Sequence, residues 1–345
     1  MATLRSELSH PLRSFRLELT LEVGAEALAL VGPSGAGKSS VLRAVAGLLR
    51  PAEGRVALGD EVWLDTGRGV DVPPERRSVG LVFQDYALFP HLTVRRNVAF
   101  GARDRAEVGS LLERFRIDHL ATARPDEISG GERQRVAVAR ALARKPRALL
   151  LDEPLAALDA HTRATVRSEL RELLATLGIP VIVVTHDFED AATLADRVGV
   201  LVDGRLRQVG TTAELVASPV DPFVARFTGA NIVPGAVLAV VNGLTEVALD
   251  TGGTLWSTDV ASGRVALTVY PWEVALSHDV PEDSAVNHVH APIARITELG
   301  NRARVVVGPL VAEVTSASVM RLGLKEGAPA VASFKATAAR LLPLE

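Results

Sequence analysis

A chain of 345 residues with 48% hydrophobic content is too long for one ordinary core and long enough for two. Its formal net charge of -3 and sequence pI near 6.3 lack the Lys/Arg excess that nonspecific nucleic-acid binding requires, so no nucleic-acid partner is expected. The absence of cysteine excludes disulfides, thiolate zinc sites and iron–sulfur clusters. The opening MATLRSELSHPLRS holds no apolar core of a secretory signal. No later stretch reaches the roughly 18 uninterrupted apolar residues of a membrane span, so a membrane role is expected to run through a partner.

In chain order, Phe15, Leu17, Leu19 and Leu21 alternate with Arg16, Glu18 and Thr20, which predicts a half-buried strand with Phe15 in the core. The apolar run Ala27–Val31 predicts a buried strand, and GPSGAGKS follows it. A helical pattern comes next, with Val41, Leu42, Val45, Leu48 and Leu49 on one face and a stop at Pro51. Strand, glycine-rich turn and helix form the context in which GxxxxGK[ST] binds phosphate. Gly32, Pro33, Ser34, Gly35, Ala36, Gly37, Lys38, Ser39 and Ser40 are therefore the candidate nucleotide-binding residues. The turn directs backbone N–H groups at phosphate oxygens and the helix N-terminus adds partial positive charge. Lys38 is placed to reach the β- and γ-phosphates and Ser39 to ligate Mg²⁺.

Further apolar strands are predicted at Val79–Phe83, Ala148–Leu151 and Val181–Thr185, separated by helical patterns such as Glu132–Ala143 and His161–Leu177. Strands and helices in alternation imply parallel βα units, with an antiparallel region at the start of the chain. Gln84, Asp152, Glu153 and His186 each follow a predicted strand, where open α/β sheets place ligands. Asp152 suits the surroundings of Mg²⁺ and Glu153 a base that activates water against a γ-phosphate. His186 suits a γ-phosphate contact that orients this water, and Gln84 a residue sensing Mg²⁺ and water. Ser129, Gly130, Gly131 and Glu132 open a helix, which offers either a second anion site or a plain helix cap.

GPSGAGKS, Gln84, ISGGERQ, LLLDEP, the following Ala157-Leu158-Asp159 and His186, in that order, resemble the ATP-binding cassette (ABC) ATPases over residues 1 to 228. The resemblance implies an α/β P-loop cassette with a parallel sheet core, an antiparallel β region and a helical subdomain. It also implies a head-to-tail homodimer in which Ser129, Gly130 and Gly131 of one subunit close over ATP held by the other, with Asp159 coupling the two sites. The family's adenine-stacking aromatic aligns with Leu12 and Arg13, and Glu132 stands where many members carry Gln. A carboxylate at that position can still accept a ribose hydroxyl. DYALFPHLTVRRNVAFG, residues 85 to 101, resembles the segment with which importer cassettes receive a helix of an integral-membrane permease, and core packing is its alternative reading.

After Arg226 the pattern changes to turns and short strands, placing a domain boundary at 229/230. Asn242-Gly243 and Asp250–Gly253 predict hairpin turns. β-rich segments follow at Arg264–Tyr270, Ala291–Ile296, Ala303–Val307, Val311–Thr315 and Ala330–Lys335. Two related β units, 230–280 and 285–345, are expected to form a small all-β domain, OB-like barrel or sandwich. Residues 231 to 277 resemble the regulatory β-barrel units of importer cassettes, and 284 to 342 resemble the molybdate-binding mop module of TOBE-type tails. By that resemblance Ser284, Asn287, Thr315, Ser318 and Lys335 are candidates for molybdate or tungstate, although Val286 replaces a frequent Arg, and surface strand positions are the alternative reading of the Ser and Thr residues. His288 and His290 read as surface residues.

The expectation is the ATP- and Mg²⁺-using subunit of a bacterial ABC importer for molybdate. It would sit peripherally on the cytoplasmic face of the membrane, beneath a permease fed by a substrate-binding protein. Importers of sulfate, ferric iron, polyamine or sugar are the alternative, and a soluble non-transport ABC ATPase stands further off.

Overall fold

The computed structural model describes residues 2–102, 104–156 and 158–344, with the backbone alone for Ala160 and His161. Ala157 of the expected coupling motif lies outside the described residues. The chain divides into two compact units, Met1–Ala213 and Glu214–Glu345.

In the first unit the strands are β1 Leu4–Pro11, β2 Arg16–Val23, β3 Ala27–Val31, β4 Glu53–Leu58, β5 Glu61–Asp65, β6 Val70–Asp71, β7 Val79–Val82, β8 Ala148–Asp152, β9 Val181–Val184, β10 Arg197–Val202 and β11 Arg205–Gly210. The helices are α1 Lys38–Ala46, α2 Val94–Ala99, α3 Val108–Arg114, α4 Gly130–Leu142, α5 Ala160–Ala175 and α6 Phe188–Leu194. One sheet runs β6-β5-β4-β1-β2-β11-β10-β3-β9-β8-β7. Its β10-β3-β9-β8-β7 portion is parallel, and β1, β2, β4, β5 and β6 pair antiparallel. Sequence explains the division of labour. β3 and β9 are apolar at every position and buried throughout, as strands covered on both faces must be, whereas β2 alternates exposed and buried residues. Helices α2, α3 and α4 lie in the long connection between β7 and β8, which is the expected helical subdomain.

Two local expectations are corrected. The helix after the phosphate loop ends at Ala46, where Gly47 takes a left-handed φ of 82° and its N–H returns to the carbonyls of Ala44 and Arg43. Leu48 and Leu49 therefore lie beyond the helix, and Leu48 is exposed. The second correction concerns Phe15, which precedes β2 in the turn after β1 and is half-buried rather than a core strand residue.

Glu214–Glu345 begins within α7 (Thr212–Ala217), so the division falls earlier than 229/230. A physical reason is that α8 (Pro222–Phe227) places Ala225 in a small core with Ala230, Ala266 and Leu342. Next come β12 Asn231–Val241, β13 Leu244–Leu249, β14 Thr254–Ser257, β15 Arg264–Val269, β16 Ala275–Ser277, β17 Asn287–Leu299, β18 Arg302–Val307, β19 Leu310–Thr315, helix α9 Ser316–Arg321, β20 Pro329–Phe334 and β21 Arg340–Pro343. The sheets are β14-β13-β12-β15-β21 and β16-β20-β17-β18-β19. Read from the far edge, the second is β19-β18-β17-β20-β16, so each half of the sequence repeats one order and exchanges its last strand with the other. The hairpin at Asn242-Gly243 carries φ of 51° and 81°, the left-handed pair that two-residue turns need.

Equivalent asparagines fasten the exchange. Asn231, opening β12, donates through Nδ2 to the Val311 carbonyl in β19 and accepts from the Val311 N–H. Asn287, opening β17, makes the same pair of bonds to Trp256 in β14. Both amides are buried and spent on backbone groups that would otherwise lack partners.

Candidate active site

Four adjacent parallel strands deliver the candidate residues. Gln84 follows β7, Asp152 ends β8 with Glu153 next, Thr185-His186 follow β9, and the phosphate loop follows β3. In the loop, Gly32 has φ 147° and a Cβ there would lie 2.0 Å from the Leu201 carbonyl oxygen, so only glycine fits. Gly37, at φ 104°, caps α1 with no side-chain acceptor. The N-terminal N–H groups of α1 are thus left without a side-chain cap. Lys38 is buried and its Nζ donates to the carbonyls of Gly32 (2.8 Å) and Pro33 (2.9 Å). Burial pushes its pKa down, opposed by the charges of Glu153 and Asp152.

Ser39 Oγ donates to Asp152 Oδ1 at 2.9 Å, joining the loop hydroxyl to the strand-end carboxylate. Asp152 is pushed up by burial and by Glu153, while the Ser39 hydrogen bond and the charges of Arg43 and Lys38 pull it down. Glu153 sits at φ 47°, a left-handed conformation that costs a non-glycine residue of order 1–3 kcal/mol. Its N–H donates to the Val184 carbonyl and its Oε2 lies 2.9 Å from His186 Nδ1. Strain, an adjacent strand and a histidine together fix this carboxylate at the cleft.

One open cleft of about 540 Å³ is lined by Ser34, Gly35, Gly37, Lys38, Ser39, Ser40, Gln84, Glu153 and His186. Leu12, Arg13, Ser14 and Phe15 complete it, so the β1–β2 turn carries the aromatic that sequence alternation assigned to the core. An adjoining opening is lined by Ser39, Gln84 and Asp152 and adds Arg43, which sequence reasoning missed. Its only sequence signal is an arginine four residues after Ser39, one helical turn along α1. Ser39 and Asp152 offer adjacent hard oxygen donors with Gln84 beside them, a set that fits Mg²⁺.

The Ser129 turn is not among the residues lining this cleft. Ser129 caps α4 in a closed box: its Oγ accepts from Glu132 N–H, while Glu132 Oε2 accepts from Ser129 N–H at 2.7 Å and from Ser129 Oγ at 2.8 Å. Those bonds hold the Glu132 carboxyl below its usual range. A Cβ on Gly131 would come within 2.9 Å of Val166 Cγ2, so close packing of α4 on α5 also demands glycine. Asp159 Oδ1 accepts from Thr162 N–H at the start of α5.

The five oxyanion candidates do not form one cluster in the second unit. Asn287 is committed to Trp256, and Thr315 caps α9 and shares a 2.9 Å bond with Ser318. Asn287 opens β17 opposite Phe334, with Lys335 next in the chain; Thr315 pairs with Arg302, which pairs with Leu299 at the other end of β17. Ser284 and Lys335 are exposed. His290 is exposed as expected, but His288 is half-buried and bonds Ser333 across the sheet at 2.8 Å.

The fold and cleft define a P-loop nucleotide hydrolase followed by a two-repeat β unit. A model described as ABC transporter matches residues 15–156 and one described as TOBE domain matches 283–341. The molybdate/tungstate import ATP-binding protein of Pyrococcus abyssi is 40% identical over 329 residues, 90% of this chain and 91% of that protein. The molybdenum import ATP-binding protein of Mycobacterium tuberculosis is 42% identical, covering 83% and 81%. The spermidine/putrescine import ATP-binding protein of Acidothermus cellulolyticus is 40% identical, covering 86% and 79%. The chain belongs to the ATP-binding import proteins of the ABC transporter family and is an ATPase.

Proposed function

We propose that the chain hydrolyses ATP to drive import of molybdate or a like oxyanion, as a homodimer bound to membrane permease subunits at the cytoplasmic face. The observation that carries the hydrolytic part is a single cleft joining Lys38, Ser39, Glu153 and His186, with Asp152 hydrogen-bonded to Ser39. Loop N–H groups and Lys38 bind the phosphates, and Phe15 offers its ring to adenine. Ser39, Asp152 and Gln84 would hold Mg²⁺, which when bound would supply charge neutralisation to the triphosphate. Glu153 accepts a proton from the attacking water, and His186, 2.9 Å away, holds that carboxylate and orients the water. The Ser129 turn supplies donors in trans, and Asp159 links the two sites. The cassette is assigned 1–229 and the regulatory tail 230–345 by sequence, while residues 214–229 pack with the tail in the second compact unit.

The cargo reading rests on the molybdate and molybdenum relatives together with the TOBE match. Polyamine import is the second reading, favoured by the spermidine/putrescine relative at similar identity. Uptake of labelled molybdate by cells expressing the chain with its permease decides between them. ATP-dependent uptake that excess tungstate suppresses and spermidine leaves untouched is expected; suppression by spermidine alone would move the assignment to polyamines. Calorimetry of the full chain with molybdate tests the tail, where two separate places carry the candidates: Asn287 and Lys335 beside the start of β17, and Thr315 and Ser318 at α9.

A further inference from the structure

The strand exit that presents Glu153 is fastened from both sides. β8 lies between β9 and β7 in the sheet, so the residues after it have a neighbour on each flank. On the β9 flank the Glu153 N–H donates to the Val184 carbonyl. On the β7 flank the Tyr86 hydroxyl donates to the Pro154 carbonyl at 3.2 Å, in a buried position. Tyr86 lines neither the nucleotide cleft nor the opening beside it, so its route to the chemistry runs through Glu153.

The turn that carries Tyr86 is itself strained. Tyr86 and Ala87 stand at φ 62° and 44°, two consecutive left-handed residues in a place glycine would fill more easily. Gln84, Asp85 and Ala87 around it are exposed, whereas Tyr86 is 3% exposed. Arg140 of α4 holds the conformation: its Nη2 and Nη1 donate to the Tyr86 and Ala87 carbonyls at 2.8 Å each. The same guanidinium lies 5.4 Å from the centre of the Phe89 ring. Burial pushes the Tyr86 phenol up against the opposing charge of Arg133, so the hydroxyl keeps its proton and stays a donor.

Left-handed residues persist only where their surroundings over-determine them. Glu153, at φ 47°, is such a residue, and Tyr86 supplies one of the bonds that fix it. Without the hydroxyl the Pro154 carbonyl would be buried and unpaired, and the peptide between Glu153 and Pro154 would be free to turn toward a relaxed conformation. That turn would carry the carboxylate away from His186 Nδ1, which lies 2.9 Å from Oε2. We propose that Tyr86 is a positioning residue for hydrolysis, holding Glu153 through the Pro154 carbonyl, with Arg140 keeping Tyr86 seated. The inference rests on Glu153 as the base and adds the two residues that keep it in place. A shift of about 1 Å at a reacting group costs up to about 10²-fold in rate, so one hydroxyl remote from the nucleotide matters to turnover.

Steady-state and single-turnover hydrolysis by the full-length chain, with thermal unfolding beside them, test this. Tyr86→Phe should lower kcat about five- to twentyfold, while KM for ATP and ATP affinity by calorimetry change less than about twofold. In a Glu153→Gln background the same substitution should change the single-turnover rate less than about twofold, because no base is left to position. Arg140→Lys keeps the charge without the planar fork, so it should lower kcat about threefold or more and add less than about twofold to Tyr86→Phe. Unchanged kcat in Tyr86→Phe, even with a lowered unfolding temperature, would overturn the proposal and leave the hydroxyl a packing element. So would an ATP affinity that falls in step with kcat, or equal losses in the wild-type and Glu153→Gln backgrounds. Near-normal turnover in Glu153→Gln alone would instead remove the base on which the inference rests. If Arg140→Lys fails to fold, the two Tyr86→Phe comparisons decide.

Discussion

Two helix N-termini in the first unit carry glycine, at the cap of α1 and in the first turn of α4, yet they are finished differently. At α1 the cap is Gly37, which brings no acceptor of its own. At α4 the cap is Ser129, closed by Glu132 into a box whose carboxylate already faces the helix end. Both positions attract anions through unpaired N–H groups and the helix dipole. The first leaves that attraction free, while the second satisfies it internally. An α1 end that binds alone and an α4 end that joins after closure would follow from this difference.

The sharpest way to break the comparison is to stop the chemistry served by the α1 end. Glu153→Gln keeps the shape and removes the proposed base, so turnover should fall by about 10²–10⁴ while ATP stays bound. Single-turnover hydrolysis beside ATP retention checks this, and near-normal turnover would sink the role. Lys38→Ala comes next. It removes a phosphate contact and also leaves the Gly32 and Pro33 carbonyls without their donor. A loss of about 10²–10³ in turnover is expected, with weaker triphosphate binding measured by calorimetry. Equal affinity in the two proteins would show that Lys38 serves the loop only.

At the α4 end the expected effect is smaller and appears on assembly. Glu132→Gln can keep the backbone bond from Ser129 while removing a negative charge beside an incoming triphosphate. In a Glu153→Gln background, ATP-driven dimerisation followed by sedimentation should tighten about two- to fivefold as this like-charge cost is removed. Unchanged dimerisation would mean that the α4 end does not meet nucleotide.

Much of this site was legible because its signals are local. A buried strand, a glycine turn and a helix are contiguous in GPSGAGKS, and residues that follow parallel strands must emerge at one sheet edge. What was not legible depended on three-dimensional placement. Phe15 alternates with Leu17 in sequence, but the β1–β2 turn intervenes and directs it to the cleft. Leu48 and Leu49 continue a helical spacing that a left-handed Gly47 interrupts. Asn287 belongs to a polar constellation in sequence, yet strand exchange buries it against Trp256, just as Asn231 is buried against Val311. The repeat itself was visible as two β-rich stretches, whereas the exchange of β16 and β21 is a long-range pairing that no local pattern encodes.

Acid separates the two helix ends with opposite signs. Glu132 has its pKa lowered by the Ser129 backbone hydrogen bond, so its contribution to stability is fully present above the unfolded value. That contribution is lost as pH falls through the lower folded value, so the α4 cap should persist below the ordinary carboxylate range. Asp152 has its pKa raised by burial, so acidification through that raised value relieves a cost to the fold and has no comparable destabilising effect. Protonation would, however, remove a proposed Mg²⁺ donor. Below the Asp152 pKa, Mg²⁺ affinity should fall about tenfold per pH unit, since one proton competes for the site. Mg²⁺-dependent ATP binding should therefore weaken at a higher pH than exchange quickens at Glu132 and Arg133, once intrinsic exchange rates are corrected. The reverse order would mean that the α4 cap is the less protected end and that the contrast between Gly37 and Ser129 does not govern them.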